Sequence, residues 1–230
     1  MTLTVCGLIG SPFFRKILTQ LNEKGVAYDV ENVSPFGADE NFTKMSPARR
    51  IPLLKDSDHG DDWVLPDSTA IFHYLEKKIS EPALVPSDLA DYGRALWFEE
   101  YADTEMASTI GLGIFRKIVF PQMQKKAPDI DGAMEVIRGK LIGINDYIEQ
   151  SLEGREWLVG DSFSVADISV AVQYANLSFT GYVPSAERWP NISAFMRRVG
   201  ERDSFAGPHV KAVGAFANMQ KIEIDPAEGL

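Results

Sequence analysis

A single cysteine, Cys6, stands among 230 residues, which excludes an intrachain disulfide, a CxxC redox pair and a cysteine-based zinc cluster. Histidine is scarce too. His59, His73 and His209 show neither H-x-x-x-H nor H-E-x-x-H spacing, and no metal is expected. Apolar runs are short, well below the roughly 18 residues a transmembrane helix needs. The N-terminus lacks the basic stretch and apolar run of a signal peptide. These absences point to a cytoplasmic protein with no membrane partner. Positive charge is also in deficit, with 23 Lys and Arg against 33 Asp and Glu and a formal net charge of −10. Such a field repels phosphate backbones, so no nucleic-acid partner is expected. Its plain meaning is solubility, and an anionic ligand would need a local concentration of N–H groups, Arg or Lys.

What is present is an ordinary globular composition, 45% hydrophobic and 24% charged, which excludes disorder over most of the length. The chain is long enough for two domains of roughly 80–150 residues each. Thr2-Leu-Thr-Val-Cys-Gly reads as a strand entering a Gly10-Ser11-Pro12 turn. Ser11 stands at a helix N-cap and Pro12 at the first helical position. Phe14, Ile17, Leu18 and Leu21 then give one apolar face, and Gly25 closes the helix. A strand is predicted over 26–33, a loop and short helix over 35–44, and a strand from Ile51. A polar loop follows over 56–62, then a strand from Trp63 and a helix opened by Asp67-Ser68. The order is β-α-β-α-β-β-α.

After this the texture changes. Residues 81–89 carry Pro82 and Pro86 and read as a linker. Helical patterns then occupy residues 89–123, 130–152, 165–177 and 192–202. The organisation is therefore a first domain over 1–80, an all-helical domain over 90–217 and a tail over 218–230. The clearest helix start is Phe163-Ser-Val-Ala-Asp-Ile. Ser164 and Asp167 have the spacing of a capping box, and Phe163 and Ile168 that of a hydrophobic staple. This is a structural device rather than a chemical site.

Four segments carry a resemblance. Ser11-Pro-Phe-Phe-Arg-Lys is similar to an S/C-P-x-x-R-K helix start. Ser46-Pro-Ala-Arg-Arg-Ile-Pro-Leu-Leu is similar to N-P-x-G-K-V-P-x-L. Leu65-Pro-Asp-Ser-Thr-Ala-Ile resembles L-x-E/D-S-x-A-I, and Ser164-Val-Ala-Asp resembles S/T-x-A-D. In this order they resemble the cytosolic glutathione transferases across about residues 2–205. The resemblance implies a thioredoxin-like α/β N-terminal domain, an all-α helical-bundle C-terminal domain, and a homodimer. It also implies a transferase of detoxification chemistry that uses glutathione as co-substrate and needs no other cofactor.

Glutathione offers two carboxylates, an ammonium, a peptide backbone and a thiol. The Asp67-Ser68 pair either caps its helix only or also binds the γ-glutamyl group. In the second reading the Ser68 N–H and hydroxyl take the carboxylate and Asp67 takes the ammonium. Base rates favour a trans Pro52, since only about 5–6% of X-Pro bonds are cis. The resemblance implies a cis Ile51-Pro52 bond, with Ile51 pairing the cysteinyl backbone. Ser11 is either a plain N-cap or the donor that stabilises the thiolate. A free thiol has a pKa near 8.5, and lowering it by two units requires roughly 2.7 kcal/mol. A hydroxyl hydrogen bond and the positive end of a helix can together supply this. Arg50 is either a further glutathione contact or a surface charge. Arg15 either adds positive potential near sulfur or forms a surface salt bridge, and the salt bridge is the simpler expectation.

The resemblance places an electrophile pocket near Phe13, Ile114 and Phe115. Gly111 and Gly113 inside the same helical pattern point to close packing or to room for a ligand. Serine at position 11, where other members carry cysteine, argues against disulfide-reductase chemistry, and Cys6 is expected to be buried and inert. Arg49 and Ser46 stand where the family pattern has glycine and asparagine. The competing expectation is a non-catalytic protein of the same fold that serves as a binding module.

Overall fold

Leu3–Gly7 form β1, whose last residue is glycine because a Cβ there would collide with the ring of Phe14. Then come α1 (Pro12–Glu23), β2 (Asp29–Asn32), α2 (Glu40–Met45), β3 (Leu53–Asp56), a 3₁₀ turn (Ser57–His59), β4 (Val64–Pro66) and α3 (Ser68–Lys78). The computed structural model describes residues 2–37, 39–60, 62–225 and 228–230. Met1 lies outside the described residues. So do Ala38 in the predicted 35–44 stretch, Asp61 in the predicted 56–62 loop, and Pro226 and Ala227 in the predicted tail.

The sheet order is β2-β1-β3-β4, with β1 parallel to β2 and antiparallel to β3, and β3 antiparallel to β4. This is the thioredoxin-like arrangement. β2 is shorter than the 26–33 stretch suggests. It lies at the sheet edge, and its pairing with β1 begins only at Asp29 opposite Thr4.

In the second domain α4 (Leu89–Tyr101) continues through π-helical turns (Ala102–Phe115) into α5 (Arg116–Met123). After a loop, α6 (Ile130–Val136) continues through a second π segment (Ile137–Leu141) into α7 (Ile142–Ser151). A Cβ on Gly113 would sit 3.1 Å from Val136, so this glycine serves the close approach of α6. No atom stands within 4 Å of one built on Gly111. The central helix α8 (Val165–Ser178) is buried from Val165 to Leu177. Its start is held by Asp167, whose carboxylate accepts from the Ser164 N–H (2.9 Å), the Ser164 hydroxyl (3.1 Å) and the Leu158 N–H (2.9 Å). Phe163 and Ile168 join the core beside it.

Two helices close the bundle, α9 (Pro190–Gly200) and α10 (Asp203–Ala215). Periodicity does not reveal α10, which contains Gly207, Pro208 and Gly214, all weak helix formers. Its stability comes from packing against α1, with Phe205, Pro208 and Ala212 buried. The tail is tied back by the Ile222 N–H donating to Thr180 O (2.7 Å) and by two hydrogen bonds between Gln122 and Gln220.

Helix α1 departs most from its sequence pattern. Phe14 to Leu21 are all buried, including Arg15, Lys16, Thr19 and Gln20. The helix is enclosed by the sheet, α3, α8 and α10, so its polar face meets the second domain instead of water. Lys16 bonds Glu99 (2.7 Å) and Asp103 (2.8 Å) on the long helix. Burial opposes the lysine's charge, but the two carboxylates outweigh it and hold its pKa above the ordinary value. One apolar cluster consequently runs from Leu3 and Phe14 through Ile71 to Val170 and Val199 across both domains.

Candidate active site

Sheet register brings the predicted segments together. Cys6 pairs with Leu53, and Leu53 with Pro66, so the end of β1, the start of β3 and the end of β4 lie at one end of the sheet. Ser11, Ile51-Pro52 and Asp67-Ser68 follow or precede these three points. The Asp67 N–H donates to Pro52 O (3.3 Å), joining the second and third segments directly.

Ser11 is the N-cap of α1, and its Oγ accepts from the Phe14 N–H at 3.4 Å. Capping uses an acceptor lone pair, so the hydroxyl proton remains for another acceptor. The two roles weighed for Ser11 therefore do not compete. The Ile51-Pro52 bond is cis. Asp67 adopts φ 82°, a conformation rare for residues other than glycine, and its Oδ1 accepts from the Thr69 (3.0 Å) and Ala70 (3.3 Å) N–H groups. This cap leaves the Ser68 N–H and hydroxyl without a partner among the described residues, although Ser68 is only 5% exposed.

The loop before β3 resolves the two departures from the family pattern. Ser46 Oγ donates to Arg50 O (2.9 Å) and accepts from the Arg50 N–H (3.0 Å), closing the turn with one hydroxyl. Arg49 sits at φ 53°, the left-handed region where the family pattern has glycine. The Arg50 side chain is exposed.

Arg15 overturns the surface salt-bridge expectation. It is 1% exposed and forms no ion pair among the described residues. Nη1 donates to Ile9 O (2.9 Å), while Nη2 donates to Asn176 Oδ1 (3.1 Å) and Val172 O (3.3 Å). The polar face of an amphipathic pattern gave no sign that a second domain would cover it. Cys6 is fully buried, and desolvation pushes its thiol up to about 11, which makes it a poor nucleophile.

The apolar candidates separate. Phe115 joins Val119, Phe179, Ala212 and Phe216, with Ile9, Phe120 and Met219 packed beside them. Ile114 instead belongs to the bundle core, and Phe13 is half-buried. Phe216 touches the loop before Ser11, where a Cβ on Gly10 would lie 2.7 Å from its ring. Phe36, 63% exposed after β2, meets the Phe120 ring edge-on at 5.3 Å. Sequence reading missed Phe120, Phe179 and Phe216. Phe120 follows Phe115 on the same helical pattern, whereas Phe216 ends the helix that periodicity did not reveal.

His209 stacks on Phe179 and Phe205. Burial, and then the Arg15 charge, push its pKa below the ordinary value. An unfolded histidine protonates near pH 6.5. Below that pH the unfolded chain takes up a proton that the folded one resists, so stability present above about 6.5 is lost on acidification. His209→Asn is expected to flatten the fall in melting temperature between pH 7 and 5. An unchanged slope would exclude His209 as its source.

The family models decide the affiliation. The glutathione S-transferase N-terminal domain matches residues 5–83, and the glutathione S-transferase C-terminal domain matches residues 107–203. The chain belongs to the glutathione S-transferase family. It is 27% identical over 210 residues to glutathione S-transferase DHAR3 (chloroplastic) of Arabidopsis thaliana, covering 90% of this chain and 71% of that protein. It is 28% identical over 187 residues to FtsZ-localized protein A of Caulobacter vibrioides, covering 80% and 78%. A glutathione S-transferase structure from Rhodospirillum rubrum F11 superposes with a TM-score of 0.81 at 25% identity, covering 90% and 91%. Transferase-family architecture thus extends over both domains. Among the described residues no helix is long and apolar enough to cross a membrane.

Proposed function

We propose that this glutathione S-transferase family member binds glutathione at the sheet end and uses it as a thiolate. The thiolate would add to a small hydrophobic electrophile or reduce an organic hydroperoxide. The observation that carries the reading is the set of three unengaged donors at two helix starts, the Ser11 hydroxyl proton and the Ser68 N–H and hydroxyl. A helix N-terminus favours an anion there. The γ-glutamyl carboxylate would bind Ser68, with its ammonium at Asp67 Oδ2, and the cysteinyl backbone would run along Ile51. Arg50, exposed nearby, would reach the glycine carboxylate. In displacement the sulfur bonds the electrophilic carbon as the leaving group departs, and in conjugate addition the resulting carbanion takes up a proton. In hydroperoxide reduction the sulfur takes the terminal oxygen as the O–O bond breaks and the alcohol leaves, and a second glutathione then displaces water from the sulfenic acid to give glutathione disulfide. The phenylalanines around Phe115 support an apolar second substrate. A homodimer in the cytosol, where glutathione stays reduced, completes the reading.

Calorimetry tests binding. Wild-type protein is expected to bind glutathione, and Ser68→Ala to weaken it about ten- to a hundredfold, as loss of a hydrogen bond to a charged group requires. Absence of wild-type binding would overturn the reading. A second reading, a binding module without turnover, is favoured by the similarity to FtsZ-localized protein A and to a Stringent starvation protein A homolog of Haemophilus ducreyi. Glutathione binding without conjugation or hydroperoxide reduction would select it.

A further inference from the structure

Among the described residues the other buried cations are paired with acids. Lys16 bonds Glu99 and Asp103, and Lys24 lies 2.6 Å from Glu76. Arg15 is the exception. All its hydrogen-bond acceptors are neutral, its Nε has no partner, and its guanidinium lies 4.9 Å from the centre of the Phe179 ring. Burying a charge without an opposite one is costly. A neutral asparagine, Asn176, occupies the position where an aspartate would cancel it.

The placement is close to Ser11. Arg15 lies one turn after Ser11, and its side chain turns back toward the helix start to hold Ile9 O, two residues before Ser11. Of the elements packed against α1, α8 presents Val172 and Asn176 to the guanidinium, and α10 presents His209, which is neutral at pH 7. The nearby carboxylates of Glu99 and Asp103 are taken up by Lys16. Burial draws the Arg15 pKa down to about 9, which leaves it charged at neutral pH.

We propose that Arg15 is a positioning residue whose uncompensated charge favours an anion beside Ser11, and that the neutrality of Asn176 preserves that field. In the glutathione reading, on which this rests for its substrate, the anion is the bound thiolate. The residue also clamps the Leu8–Ser11 loop against α8, so a variant must separate charge from clamping.

Asn176→Asp does so, because it keeps Arg15 and its bond to Ile9 while adding a carboxylate. The expected result is a higher melting temperature together with a bound-glutathione thiol pKa raised by about one unit, read from thiolate absorbance against pH. That shift is a tenfold loss of thiolate below the pKa. Arg15→Lys, which keeps charge, is expected to stay nearer wild type than Arg15→Gln, which does not. If Asn176→Asp fails to fold, this pair decides. A probe without glutathione is Ser11→Cys, whose thiol pKa is read from alkylation rates. Adding Asn176→Asp is expected to raise that pKa by about one unit. Equal pKa values with and without Asn176→Asp in the Ser11→Cys protein would overturn the proposal, leaving Arg15 a clamp only. Failure of the glutathione reading shows separately, as absence of glutathione binding to wild type.

Discussion

In Ser11→Ala, the pKa of bound glutathione is expected to rise by one to two units and kcat/KM at pH 6.5 to fall about ten- to a hundredfold, while glutathione affinity stays within about threefold. Hydrogen bonds to charged groups contribute about 1.5–3 kcal/mol, and one pKa unit corresponds to about 1.4 kcal/mol. The hydroxyl can supply this because capping occupies its oxygen as acceptor at 3.4 Å and leaves the proton available. In the proposed reading affinity is carried elsewhere, by Ser68, Asp67 and the Ile51 backbone. A loss made mainly in the reactive form appears as a displaced pH–rate profile more than as weaker binding. The variant also loses its N-cap, at about 0.5–2 kcal/mol of stability, so melting curves should accompany the kinetics. A pH–rate profile superimposable on the wild type would remove Ser11 from thiol activation.

The largest stability effect is expected at Asp167, remote from this chemistry. Asp167→Ala leaves the buried Leu158 and Ser164 N–H groups without their acceptor. Each such orphan costs roughly 1–3 kcal/mol, giving about 2–6 kcal/mol in all. For a chain of this size that corresponds to a melting temperature lower by about 5–20 °C. The pH dependence has a definite sign. Burial outweighs the three donors and pushes the carboxyl up to about 6. Its folded pKa thus exceeds the unfolded value near 3.9, and its contribution is full below 3.9 and declines as pH rises through 6. The stability gap between wild type and Asp167→Asn should therefore narrow from pH 4 to 7. A loss under about 1 kcal/mol in Asp167→Ala would show that water satisfies both amides.

Local signals explain why so much of the local geometry at the sheet end was legible. Ser11-Pro12, Asp67-Ser68 and Ser164–Asp167 each encode a helix start within four residues, through caps and a proline whose missing N–H costs nothing there. The β-α-β-α-β-β-α order follows from the same kind of short-range pattern. Where a propensity was weak, as in α10, the helix could not be read, because Phe205, Pro208 and Ala212 stabilise it only against a partner distant in sequence. Phe216 was lost with it, and so was the aromatic wall beside Gly10.

By itself, the order of residues determined two domains, the starts of the main helices and the identity of the polar groups at the sheet end. These depend on neighbours within a few positions. Tertiary structure alone decided that Arg15 is a buried cation with no ion pair among the described residues, that Lys16 meets Glu99 and Asp103, and that Phe115 and Phe216 share one cluster while Ile114 does not. The reason is enclosure. A helix surface becomes interior only when a second domain covers it, and the partners that then neutralise a charge, or leave it uncompensated, come from residues more than 80 positions away.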